Sequence, residues 1–151
     1  MASRGPIMNE QIGYEALTVS VEHFSAEISV SPDTGYRLVK LGLLQKLAGL
    51  GRNVRVSRQA ASKWVNASIA DFQHLRPKNP YPKILSDGVE VLAVDCETAA
   101  NILGVSASKM SDLVRDGQMP KLPHLQRLVR IPVCSIYGFM EYSERQTPVS
   151  A

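Results

Sequence analysis

Two pairs of arginines share one spacing: Arg52 and Arg55 stand three residues apart, and so do Arg127 and Arg130. A guanidinium is always charged and presents its N–H donors in a planar fork, so such a pair on a short ribbon suits phosphate or another oxyanion. Polar runs precede both pairs: Ser31, Asp33, Thr34, Tyr36, Arg37 and Lys40 before the first, and Ser106, Ser108, Lys109, Ser111 and Arg115 before the second. Short hydroxyl and carboxylate side chains followed by cations are what a helix needs to address base edges and the phosphates that flank them.

Other chemistry is poorly provided for. Cys96 and Cys134 form no metal spacing and no C-x-x-C motif, and both lie among apolar residues, so buried free thiols are expected. His23, His74 and His124 are scattered without ligand spacing, and neither a metal nor a cofactor is expected. No nucleophile stands with a base and no carboxylates pair across a cleft. The stretch Gly49-Leu50-Gly51-Arg52 fits a loop tip better than a phosphate-binding loop, so no enzyme is expected.

The elements that position these residues come from a chain of 151 residues, 44% apolar and 21% charged, which describes a soluble globular protein. No run approaches the roughly 18 apolar residues of a membrane span, and Met1 to Pro6 lacks an apolar signal core. A cytoplasmic, nucleoid-associated protein without membrane contact is the expectation.

A shift of 75 positions aligns residues 17–66 with 92–141 without a gap, and 14 of the 50 pairs are identical. Average composition would give roughly three. Val30/Val105, Ser31/Ser106, Leu38/Leu113, Gly42/Gly117, Arg52/Arg127 and Arg55/Arg130 are among them. Such self-similarity marks two copies of one folding unit.

In the second copy, Leu92–Val94 reads as extended, and Asp95 caps a helix carrying Ala99, Ala100 and Leu103 that ends at Gly104. Ser106 caps a second helix with the stripe Met110, Leu113, Val114, closed by Gly117 and Pro120. Helices joined by so short a turn make a helix-turn-helix. Lys121–Leu122 and Leu128–Ile131 predict a two-stranded ribbon, a wing, and Pro132 begins a third helix with Val133, Ile136, Phe139 and Met140 inward. The first copy repeats the order, with caps at Ser20, Ser31 and Ser57, Pro32 opening its second helix, and Arg52–Val56 as the wing's return strand. Its third helix carries Ala61, Trp64 and Val65, and the stripe runs on through Ile69 and Phe72. The prolines between Arg76 and Lys83 predict an extended, semi-rigid linker. The expected organisation is a tail at 1–16, a first domain at 17–73, a linker at 74–91, a second domain at 92–145 and a tail at 146–151.

The motifs Gly104-Val105-Ser106, Gly117-Gln118-Met119-Pro120 and Arg127-Leu128-Val129-Arg130-Ile131-Pro132 resemble the excisionase and MerR-like winged helix-turn-helix family. In the first copy, Thr34-Gly35-Tyr36-Arg37-Leu38-Val39-Lys40 is similar to that family's second helix, whereas the second copy has Ser111 and Asp112 where tyrosine and arginine are usual. The resemblance covers about 100 residues. It implies a mainly α fold with short β wings, two winged helix-turn-helix domains in tandem, and sequence-specific binding of double-stranded DNA. The second helix of each unit would lie in the major groove and each wing on the backbone or minor groove, in a transcription regulator or a phage or mobile-element excision factor.

Charge divides the copies. Residues 17–66 hold seven Lys+Arg against three Asp+Glu, whereas residues 92–141 hold five of each. The first copy is therefore expected to supply most of the phosphate affinity. The alternative is an interaction module, in which one unit, above all the second, has lost DNA binding and meets a protein partner or another copy of the chain.

Overall fold

Five side chains open five helices by accepting a backbone N–H: Ser20 from His23 (3.0 Å), Ser31 from Thr34 (3.3 Å), Ser57 from Ala60 (2.9 Å), Asp95 from Thr98 (2.7 Å) and Ser106 from Lys109 (3.1 Å). Each satisfies a donor that the first helical turn leaves unpaired. The structure is a computed structural model that describes residues 16–146, so the expected tails lie outside the described residues except for 16 and 146 themselves.

In chain order the elements are β1 (Thr18–Ser20), α1 (Val21–Glu27), α2 (Pro32–Lys40), β2 (Arg55–Ser57) and α3 (Arg58–Ala67). A 3-10 turn (Gln73–Leu75) and the hairpin β3 (Leu85–Ser86) and β4 (Val89–Glu90) follow. Then come β5 (Ala93–Val94), α4 (Cys96–Leu103), α5 (Ala107–Arg115), β6 (Ile131–Pro132) and α6 (Val133–Gln146). The described residues thus combine helices with three two-stranded antiparallel sheets.

The repeat is kept in three dimensions. In β1 and β2, Val19 pairs with Val56; in β5 and β6, Val94 pairs with Ile131, each 75 residues on. The turns repeat as well. Leu43 N–H reaches the Leu38 carbonyl at 3.0 Å past Gly42, and Gln118 N–H reaches that of Leu113 at 2.8 Å past Gly117. Both glycines hold positive φ, 80° and 76°, the conformation that such a helix end requires. Between the first two helices Gly104 holds φ 84°, and Ser29 takes the same region at 61° in the first copy.

Several expectations are corrected. The second copy's wing is not a two-stranded ribbon: one bond joins its arms, from Leu122 N–H to the Arg130 carbonyl at 2.8 Å, and Ile131–Pro132 pairs instead with Ala93–Val94. Pro132 ends that strand, and the third helix starts one residue later at Val133. In the first copy α3 stops at Ala67 with Ser68 as its C-cap, short of Ile69 and Phe72. In the first copy too the expected return strand Arg52–Val56 is not one arm of a ribbon: β2 pairs with β1, and the wing's arms meet only at an isolated bridge between Lys46 and Val56 and at the bond from Leu47 N–H to the Arg55 carbonyl, 2.9 Å.

Nor is the linker a free spacer. The 3-10 turn packs on α6 where Gly138 leaves room for the Leu75 backbone. Glu141 accepts the N–H groups of Lys78 (2.7 Å) and Asn79 (3.1 Å), and Tyr81 stacks on Tyr137 at 4.8 Å. These bonds answer backbone donors that the neighbouring prolines leave without a ladder.

Two cores result, and the first is completed by the second unit. Phe24, Ile28, Leu38, Leu44 and Val56 cluster with Ala93, Leu122 and Leu125. Burial of a leucine side chain contributes about 1.5–3 kcal/mol, so Leu122 and Leu125 help to hold the second wing on the first unit. Polar contacts line the same seam: Leu92 N–H to the Glu27 carbonyl (2.6 Å) and the Ser29 hydroxyl to the Ala93 carbonyl (2.7 Å).

Candidate nucleic-acid interface

Helix α2 crosses α1 closely because Gly35 carries no side chain; a Cβ there would overlap the Ser25 hydroxyl. Leu38 on the same face is fully buried, which turns the opposite face outward. On that outward face Ser31, Asp33, Tyr36 and Lys40 are exposed and Thr34 is half-buried. The Tyr36 hydroxyl donates to the Glu22 carboxylate at 2.5 Å, which fixes the ring against α1. That bond holds the Glu22 carboxyl below its ordinary pKa and raises the phenol's, both through the hydrogen bond they share.

Lys40 and Tyr36 border a groove of about 680 Å³ whose other wall is the first wing, through Gln45, Lys46 and Val54. Helix α2 and the first wing therefore share one open cleft with an apolar floor and a lysine on each side. Arg52 stands exposed farther along the wing. Lys46 and Gln45 were absent from the expected site, although Lys46 has an identical counterpart in Lys121, the same signal that singled out the arginines.

Three of the expected arginines donate to backbone or hydroxyl oxygens of the protein. Arg55 donates to the Thr18 hydroxyl (2.7 Å) and carbonyl (3.0 Å), bracing β1 against β2. Arg130 donates to the carbonyls of Ser29 (2.7 Å) and Val129 (3.0 Å). Arg37 donates to the His124 carbonyl at 3.3 Å, and its Nε is buried without a partner. Of the two wing pairs, Arg52 and Arg127 remain exposed.

The second unit's helix differs in charge. Ser106, Ser108, Lys109, Ser111 and Arg115 are exposed, but Arg115 pairs with Asp112 at 2.8 Å and with Asp116 at 3.5 Å. The Ser111 hydroxyl lies 3.4 Å from the Cys96 thiol. Buried apolar surroundings push the other thiol, Cys134, above its ordinary pKa. Among the described residues no group of His, Cys, Asp or Glu is placed to hold a metal, and no helix is long and apolar enough to cross a membrane.

Comparison with family models, with curated proteins and with solved structures finds no match.

Proposed function

We propose that this chain binds double-stranded DNA through two tandem winged helix-turn-helix units, of which the first provides the main DNA-binding face. The observation that carries this reading is the shared groove: Tyr36 and Lys40 of α2 face Lys46 of the first wing across one cleft. A duplex backbone lying in that cleft would place the N-terminal end of α2, from Ser31 to Thr34, against base edges in the major groove and Arg52 against the next phosphate or the minor groove. Free N–H groups at the start of α2 add to the attraction for phosphate. Such a protein would serve as a transcription regulator or an excision-type recombination factor.

A second reading applies to the second unit alone. Leu122 and Leu125 of its wing are buried against the first unit and Arg115 is matched by two carboxylates, so this unit acts chiefly as a support or protein-binding surface.

Selection of bound duplexes from a random pool, followed by salt titration, tests the proposal. Replacing Lys40, Lys46 or Arg52 by Ala is expected to reduce the slope of log affinity against log salt by about one each, because each neutralises one phosphate. Replacing Arg55 or Arg115 is expected to leave that slope unchanged. A wild-type chain that shows no salt-dependent duplex binding overturns the proposal.

A further inference from the structure

Leu47 and Leu50 of the first wing are the counterparts, 75 residues earlier, of Leu122 and Leu125 in the second. Their surroundings are opposite. Leu122 and Leu125 are each 2% exposed, whereas Leu47 and Leu50 are 36% and 38% exposed.

The two wing tips nonetheless share a backbone shape. His124 and Gln126 flank Leu125 with φ 64° and 57°, and Gly49 and Gly51 flank Leu50 with φ 85° and 62°. Glycine takes these values without steric cost, so the first tip holds its leucines in the posture that the second tip adopts when docked. Among the described residues nothing covers Leu47 and Leu50 as the first unit covers Leu122 and Leu125.

The seat used by the second wing has a counterpart too. On the first unit it lies at the end of α1 and along α2, where Ile28 is fully buried and Ser29 and Arg37 supply polar contacts. At the equivalent place on the second unit, Leu103 stands for Ile28, and it is only half-buried, as are Ile102 and Val105 beside it. Charge differs between the two places as well: Asp112 stands where the first unit has Arg37, and it and Asp116 already pair with Arg115, while the first wing carries Lys46 and Arg52 exposed and no acid.

We propose that the first wing of one chain docks on the second unit of another copy, at α4 and α5, and so repeats between chains the contact that each chain makes within itself. A knob on one unit and a seat on the other make a head-to-tail contact that does not close on a twofold axis, so copies add into a linear array. Leu47 is not among the residues that line the shared groove, so that groove stays open.

Sedimentation velocity of the full chain without nucleic acid, over rising concentration, tests this independently of DNA binding. The expected result is a mean mass that grows beyond dimer without a plateau. The knob variant L47D/L50D and the seat variant L103D are each expected to weaken association at least about tenfold, a loss of about 1.4 kcal/mol. Mixed together, they should form one-to-one dimers and nothing larger, since each keeps a single intact partner face. Should L103D fail to melt as the wild type does, Asp112→Arg, which reverses the charge at the edge of the seat, takes its place. A wild type that stays monomeric, or one that stops at dimers while the two variants refuse to pair, overturns the proposal. So does a monomer whose duplex affinity falls in the uncharged variant L47S/L50S, for then the leucines press on DNA.

Discussion

Arg130 Nε donates to the carbonyl oxygen of Ser29 at 2.7 Å, across 101 residues of chain and across the seam between the two units. A charged donor on a carbonyl is worth about 1.5–3 kcal/mol, and partial exposure places this one toward the lower figure. Arg130→Ala is expected to lower stability by that amount in urea titration while leaving the salt dependence of duplex binding unchanged. A reduced salt slope with unaltered stability would return Arg130 to the phosphate contacts.

Leu122 lies in what reads as an exposed wing, yet it fills the first unit's core. Leu122→Ala is expected to cost about 2–5 kcal/mol, the range for a leucine removed from a packed interior. Its counterpart change, Leu47→Ala, is expected to fall within about 0.5 kcal/mol of wild type under conditions where the chain is monomeric. Chemical denaturation of the two variants side by side makes the comparison, and a single cooperative transition should be lost from neither.

Gly138 sits against the backbone of Leu75, where a Cβ would meet the carbonyl oxygen and carbon. Alanine in a helix ordinarily stabilises by roughly 0.5–1 kcal/mol over glycine. Here the sign reverses. Gly138→Ala is expected to cost about 1–3 kcal/mol through overpacking. Hydrogen exchange should show the 73–75 turn released from α6 before any other segment.

Asp95 caps α4, and the Thr98 side chain and backbone N–H both hold its carboxyl below the ordinary 3.8, assisted by the Arg130 charge. A folded-state value lowered in this way adds stability that is complete above 3.8 and is lost as pH falls through the folded value. Asp95→Asn keeps a capping oxygen but cannot titrate. The stability difference between wild type and Asp95→Asn is therefore expected to shrink on acidification from about pH 6 to below pH 3. An unchanged difference would remove the cap from the acid response.

Much of this was legible in the residues because it is local. The caps Ser20, Ser31, Ser57, Asp95 and Ser106 and the stops Gly42, Gly104 and Gly117 act within a few positions of themselves, and the 75-residue offset reappears in the pairing of Val19 with Val56 and Val94 with Ile131. What escaped was long-range. Leu122 and Leu125 look like any wing residues until the first unit is placed beneath them, and the proline-rich stretch reads as a spacer until Glu141 and Tyr137 hold it on α6. Arg55 and Arg130 matched a phosphate-binding pattern through their repeated spacing. Both bond to the protein itself: Arg55 braces its own strand pair at Thr18, and Arg130 ties the second unit to the first at Ser29. Lys46 carries in the sequence the same signal as the wing arginines, an identical counterpart in Lys121.

His124 and Gln126 hold left-handed backbone without being glycine. Each such residue carries about 1–2 kcal/mol of local strain, less for histidine, which tolerates the region better. That strain is held in place by the burial of Leu125 between them and would be released if the second wing left the first unit. The seam between the units thus behaves as a sprung catch, held shut by the leucine against that strain, whereas the first wing, with glycine at both places, is a catch without a spring.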